Sequence, residues 1–162
     1  MNKNPHRLAT AWVTGALYAA LQFPYSAPAI AGLGGDVSSV HIDRDAMHGQ
    51  LNTTSLQHYD VHQINGEDGM LLREYANGQG KIFAVTWQGP VPPDLQKLFG
   101  NYFDQYQAAA ANSADAHPGM HRQLTITQPD FVLQVLGRLG AFHGKAYVPS
   151  LVPSGVFVAD LP

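Results

Sequence analysis

The clearest hydrophobic pattern in the chain is an apolar stripe with the period of an α-helix between residues 94 and 111. Pro93 can open a helix, because its missing N–H would be unpaired there, and Asp94 puts a negative charge in the first turn. The pattern predicts one amphipathic helix over 94–111. Its apolar positions are Leu95, Leu98, Phe99, Tyr102, Phe103 and Tyr106.

Alternating apolar and polar positions predict an antiparallel β-meander over residues 56–88. Two glycine turns, at 65–69 and 77–80, separate its three strands. In the third strand, strict alternation places Phe83, Val85 and Trp87 on one face and the intervening residues on the other. The pattern also predicts that Phe99 and Trp87 are buried.

The second half of the chain returns to a β pattern, with strands at 122–127, 131–136 and 141–148. A helix over 130–139 is the alternative, but the β-branched residues and a nearby pair of glycines favour a strand. Residues 49–55 are interpreted as a linker. A short helix is expected over 36–47, capped by Asp36, with Val37, Val40 and Met47 on one side. These elements predict an α+β fold, in which an antiparallel sheet of about five or six strands packs on one main amphipathic helix, with a short N-terminal helix beside it.

The first 31 residues have the pattern of a secretory signal peptide. A basic start precedes the apolar run 8–21, and the small residues Ala29 and Ala31 precede Gly32. Fourteen helical residues span about 21 Å, less than the roughly 30 Å of a bilayer core. We therefore expect cleavage before Gly32, with cleavage after Ala27 or Ala29 as the minor alternative. This predicts a leader over 1–31, one domain over 32–162, and a periplasmic or secreted location.

Composition excludes several classes of protein. Removing Lys3 and Arg7 leaves seven basic residues against twelve acidic ones, a formal charge of −5. A mildly acidic chain lacks the footprint of a nucleic-acid binder, and no segment after the leader is apolar enough for stable membrane insertion. The chain has no cysteine, which excludes disulfides, thiol catalysis and thiolate-bound metals. The expected partner is an envelope protein or a small ligand.

Histidines are the main indication of metal chemistry. His58 and His62 are expected on one strand, where an offset of four residues is about 13 Å, too far to share an ion. His117 and His121 flank a Pro-Gly turn and could meet. The hypothesis is that no metal is bound, and His117 and His121 are the candidate ligands if that hypothesis is wrong.

No segment matches a nucleophile, phosphate-binding or dinucleotide-binding motif, so we expect no catalytic or cofactor-binding residues. Asp43 and Asp45 face different ways on a helix and are interpreted as solvated. The pair 67–68 is attributed to turn chemistry. Tyr102 and Tyr106 could line a groove with their hydroxyls outward, although a place in the core is the favoured interpretation.

Several spaced motifs lie across nearly all of residues 32–156. They are Gly34-Gly35-Asp36 with Ser38-Ser39-Val40, Arg73-Glu74-Tyr75, Phe83-Ala84-Val85-x-Trp87-x-Gly89-Pro90, Pro93-Asp94-Leu95-x-x-Leu98-x-Gly100-x-Tyr102-Phe103, and Ala141-Phe142-x-Gly144-x-Ala146-Tyr147-x-Pro149. Together these motifs resemble the domain of unknown function 2844 family of exported Gram-negative proteins. The resemblance implies export and a single domain. It implies no established activity, and so no catalytic residues.

Three hypotheses about function follow. The leading one is an exported, soluble, non-enzymatic binding or accessory module of the cell envelope. The second is a small hydrolase or metal-dependent enzyme that uses His117 and His121. The third is a structural subunit of an envelope assembly, which would be marked by an unpaired sheet edge. A binding module needs an exposed groove, whereas an enzyme needs a pocket where titratable groups with shifted pKa values converge.

Overall fold

The computed structural model describes residues 32–112, 121–138 and 140–161. The predicted leader, including Ala29 and Ala31, lies outside these residues. Three α-helices are present in the described part of the chain, α1 (Val40–Ala46), α2 (Leu95–Phe99) and α3 (Phe103–Asn112). Seven strands are described there, β1 (Gln50–Ser55), β2 (Tyr59–Asn65), β3 (Leu71–Asn77), β4 (Ile82–Gly89), β5 (His121–Thr127), β6 (Val132–Arg138) and β7 (Ala141–Tyr147).

The described strands form one antiparallel sheet in the order β1-β2-β3-β4-β7-β6-β5. Two meanders therefore lie side by side and are joined where β4 pairs with β7. The α+β class and the antiparallel sheet are confirmed. The predicted strand number was too low, because the segment that forms β1 was interpreted as a linker. Leu51 is its one apolar residue, and the other five are polar and exposed at the sheet edge, so no alternation marks the strand.

The predicted continuous helix over 94–111 is interrupted at Gly100. This glycine has φ 51° and ψ −120°, a backbone conformation that is disfavoured for residues with a Cβ atom. A 3₁₀ helix (Gly100–Tyr102) links α2 to α3. Asp94 caps α2, since its carboxylate accepts hydrogen bonds from the N–H groups of Gln96 and Lys97 at 3.2 Å each. The predicted N-terminal helix is also divided, into a 3₁₀ helix (Val37–Ser39) and α1.

Buried apolar side chains form two clusters, one on each face of the sheet. On the helix face, strand residues such as Leu72, Trp87 and Leu133 share a cluster with Val40 of α1 and Phe99 of α2. Phe99 is fully buried and Trp87 is 3% exposed, as the sequence predicted. Their ring centroids lie 5.8 Å apart.

The second cluster, on the opposite face, is covered by the C-terminal segment 149–161. Tyr75, Phe83 and Ala84 pack there against the valines and leucines of that segment. A register shift between Tyr75 and Ala76 interrupts the alternation of β4, so Phe83 and Ala84 lie in the same cluster. The predicted grouping of Phe83 with Val85 and Trp87 was wrong for that reason.

Candidate functional site

The opposite face carries an open cavity of about 750 Å³ that the C-terminal segment does not cover. We call it the polar concavity. Five neighbouring strands, β3 to β7, contribute to its wall. The lining side chains that project from this face of the sheet are Arg73, Thr86, Gln88, Gln123, Thr125, Gln134, Leu136, His143 and Lys145.

The central lining residues are cross-strand neighbours, because the register of the sheet brings them into one row. Arg73 pairs with Thr86, Thr86 with Lys145, and Lys145 with Gln134. Gln134 in turn pairs with Thr125 of the edge strand. Adjacent strands lie about 4.8 Å apart, so this row presents hydrogen-bonding groups at regular steps across the sheet.

Lys145 marks the boundary between the polar concavity and the covered part of the face. Its ammonium donates hydrogen bonds to the carbonyl oxygens of Val158 at 2.8 Å and Leu161 at 2.9 Å. Burial lowers the pKa of Lys145, and the carboxylate of Asp160 partly opposes that effect. Lys145 therefore binds the C-terminal segment at the edge of the polar concavity, and the segment does not extend over the other residues of the row.

Arg73 lies at the β3 end of the row and is held by side chains of β2. Its Nε–H donates to Oε1 of Gln63 at 3.0 Å, and Nε2 of Gln63 donates to Oδ1 of Asn65 at 3.3 Å. These bonds fix the orientation of the Arg73 guanidinium group beside the polar concavity.

A second polar group lies on the helix face and is buried. Asp43 of α1 is 6% exposed and Glu74 of β3 is fully buried. The two carboxyl groups are close enough that each shifts the pKa of the other. No donor in the described part of the chain reaches Oδ2 of Asp43 or either oxygen of Glu74. Two buried carboxyl groups side by side do not both ionise readily, so we expect one of them to hold a proton.

Burial is the main cause of the shifted pKa values in this acidic pair. It raises the pKa of Asp43 to about 6, although Glu74 and the positive charge of Lys97 act in the opposite direction. Burial also raises the pKa of Glu74 well above its usual value, and the negative charge of Asp43 adds to that effect. The expectation that Asp43 is solvated was wrong. Asp45 is exposed and pairs with Arg44 at 2.6 Å.

His62 lies directly beside Glu74 in the register of β2 and β3 and is 9% exposed. Its Nδ1 is 2.9 Å from Oγ1 of Thr53. Burial lowers the pKa of His62, which favours the neutral ring; Asp60 raises this pKa, and His41 lowers it. His58 was predicted to share the strand, but β2 begins at Tyr59 and His58 precedes it.

The structure does not test the other proposed metal ligands. His117 lies outside the described residues, and of His121 only the backbone, at the start of β5, is described. Among the residues that are described, no group of three His, Asp or Glu side chains is arranged to hold a metal ion.

Tyr102 and Tyr106 pack against the core on the helix face. The ring of Tyr102 stacks on Phe131 at 5.6 Å, and Tyr106 meets Phe99 edge-on at 5.5 Å. Both residues are partly buried, and the polar concavity lies on the other side of the sheet. A groove at these two tyrosines stays a prediction.

Sequence reasoning missed both polar groups. Leu72, Glu74 and Ala76 alternate in a strand, and an acid between two apolar neighbours on one face was the available signal for the buried pair. The polar concavity had a weaker signal, since Arg73, Lys145 and Gln134 are far apart in sequence. Only the pairing of β4 with β7 brings them together.

Comparison with known proteins gives one result. A family model described as "Protein of unknown function (DUF2844)" matches residues 29–161. No curated protein and no solved structure matches the chain. Within the described residues, no helix has both the length and the apolar composition needed to cross a membrane.

Proposed function

Because the chain belongs to the DUF2844 family, as its spaced motifs predicted, we propose a function from its geometry rather than from a relative. We propose that it is an exported, non-enzymatic binding module of the cell envelope, which holds a polar ligand in the polar concavity. The observation that carries this proposal is a concave sheet face of about 750 Å³ lined by amides, hydroxyls and cations. Ligand sites commonly have this size.

The composition of the wall supports a ligand rather than an apolar protein partner. Three glutamines and Thr125 offer exposed donors and acceptors, and Leu136 is the exposed apolar side chain between them. No described residue that lines the concavity is acidic, although the chain as a whole carries more acids than bases. The local field therefore favours neutral polar or anionic ligands.

The position of the titratable groups with shifted pKa values supports binding over catalysis. The acidic pair and His62 lie on the helix face. The polar concavity, on the opposite face, contains Lys145, whose pKa is also shifted but whose ammonium is bound to two carbonyl oxygens. A catalytic site would bring such groups together in the pocket that receives the substrate. The enzyme hypothesis now depends on His117 and His121, and zinc analysis of the His117→Ala variant tests it.

Binding is tested by native mass spectrometry of protein isolated without denaturation from an exporting bacterium. We expect an adduct of discrete mass. Gln134→Trp, which fills the centre of the concavity, should remove it, and Gln107→Trp, on an exposed position of α3, should keep it. Absence of any adduct, or an adduct that persists in Gln134→Trp, contradicts the proposal.

Export is tested in the same preparation. The A-x-A motif predicts a mature N-terminus at Gly32, with a periplasmic or secreted product. An intact mass that corresponds to the full chain in the periplasmic fraction would contradict this part of the proposal. Bulky substitution of Ala31 should leave the leader attached.

A second candidate function, a structural subunit of an envelope assembly, is favoured by strand β1. This edge strand has no charged residue, no proline and no pairing irregularity, which are the usual protections against strand addition. If β1 pairs with another chain, the wild type should sediment as an oligomer, and the double variant Asn52→Lys, Thr54→Lys should be monomeric. A monomeric wild type at high concentration excludes self-assembly through β1.

A further inference from the structure

Arg73 differs from the other cations of the polar concavity in what its nitrogens bind. Its Nε–H is used by Gln63, but the two terminal nitrogens have no hydrogen-bond or ion-pair partner among the described residues. The ammonium of Lys145 is already bound to two carbonyl oxygens. His143 is exposed in the next row of the sheet.

A guanidinium group that is held in a fixed orientation, with its terminal N–H donors available, is well suited to bind an oxyanion. The free end of an arginine presents parallel N–H donors, whose geometry matches two oxygens of a carboxylate or phosphate group. Gln63 holds the group in place before a ligand arrives, so less conformational freedom is lost on binding. No acidic side chain lines the concavity in the described part of the chain, so none competes for the guanidinium there.

We infer that Arg73 anchors an oxyanion of the ligand in the polar concavity, and that Gln63 positions the Arg73 guanidinium group. The exposed Gln134 and Thr125 then bind polar groups of the same ligand further along the row. This inference rests on the proposed function and narrows it to ligands that carry a carboxylate or a phosphate group. The two sources of the oxyanion are distinguished by experiment.

The test is an NMR titration of ¹⁵N-labelled protein purified after export, with succinate in one series and inorganic phosphate in the other. Sodium chloride at equal ionic strength is the reference, because nonspecific screening affects every cation. We expect a saturable shift of the Arg73 Nε–H signal with one of the two anions. Succinate would indicate a carboxylate ligand, and phosphate a phosphorylated one.

Variants separate the roles of the two residues. Arg73→Gln should weaken anion binding by about tenfold or more, because it removes a charged two-point contact. Arg73→Lys should bind the anion more weakly than wild type, because lysine keeps the positive charge but lacks the two parallel N–H donors of the guanidinium group. Gln63→Ala should weaken binding less than Arg73→Gln and broaden the Arg73 signal. Arg44→Gln, on α1, is the matched control and should bind as wild type does.

The outcomes distinguish this inference from the proposed function. Equal anion affinity in Arg73→Gln and wild type, with both proteins melting cooperatively, overturns the inference. The same holds if neither anion produces a saturable shift at Arg73. If the native adduct persists in Arg73→Gln but is lost in Gln134→Trp, the concavity binds a ligand without Arg73, and only the inference fails. If no adduct exists at all, the proposed function fails as well.

Discussion

Replacing Asp43 by asparagine tests the buried acidic pair most directly. The asparagine side chain has nearly the same size and cannot ionise, and its amide can still donate a hydrogen bond to Glu74. The wild type must either hold a proton on Asp43 or bury a negative charge beside Glu74. We therefore expect Asp43→Asn to stabilise the protein at neutral pH and to change little in acid.

The magnitude follows from the pKa of Asp43, which burial raises from 3.8 to about 6. An acid with a raised pKa in the folded state contributes its full stability below its unfolded pKa and loses it as the pH rises through the folded value. Each pH unit of that interval corresponds to about 1.36 kcal/mol. Between pH 4 and pH 7.5, the free energy of unfolding of Asp43→Asn should therefore gain roughly 2 kcal/mol relative to wild type.

Urea unfolding at pH 4 and pH 7.5, monitored by tryptophan fluorescence, measures this difference. Asp45→Asn is the matched control, because Asp45 is exposed on the same helix and its ion pair with Arg44 should contribute little. The reasoning is refuted if Asp43→Asn and Asp45→Asn have the same pH dependence. It is also refuted if Asp43→Asn destabilises the protein equally at both pH values.

Three further predictions concern the core, the N-terminal segment and metal binding. Phe99→Ala should lower the free energy of unfolding by roughly 3–5 kcal/mol, because Phe99 is fully buried among aromatic rings; an unchanged urea midpoint would contradict this. Gly32→Ala should lower the melting temperature, because Gly32 has φ +99° and a Cβ there would collide with the carbonyl oxygen of Leu98; Gly78→Ala, with no atom near its Cβ position, is the control. Chelator should leave the melting temperature unchanged, and one equivalent of zinc in untagged protein would overturn the expectation that no metal binds.

Strong periodicity made most of the sheet predictable from the sequence. Glycine turns separate β2 from β3, β3 from β4, and β6 from β7. Asp68 of the first turn accepts a hydrogen bond from the N–H of Met70 at 2.9 Å, as turn chemistry requires. The helix stripe was also recognised. Its interruption was not, because a single glycine in a periodic segment is compatible with either a continuous or a broken helix.

The polar sites were less predictable, because they depend on partners that are distant in sequence. The sequence alone suggests that Asp43 is a surface residue, because Arg44 and Asp45 follow it. Only the packing of α1 against β3 brings its carboxyl group close to Glu74. Arg73 reads as one charged residue in a strand. Its significance comes from Gln63, ten positions away, and from strands of the second meander. Local patterns carry no information about such neighbours.

The junction between β4 and β7 has a consequence for dividing the protein into fragments. Ala84 pairs with Tyr147, so this junction joins parts of the chain that are far apart in sequence, whereas each hairpin closes a short loop. In a fragment that ends before β5, strand β4 would become a sheet edge, although residues 82–87 are all buried in the whole protein. Such an apolar edge promotes aggregation. We expect the N-terminal meander to be insoluble when it is produced alone. A binding activity would therefore have to be mapped with point substitutions in the whole protein rather than with deletions.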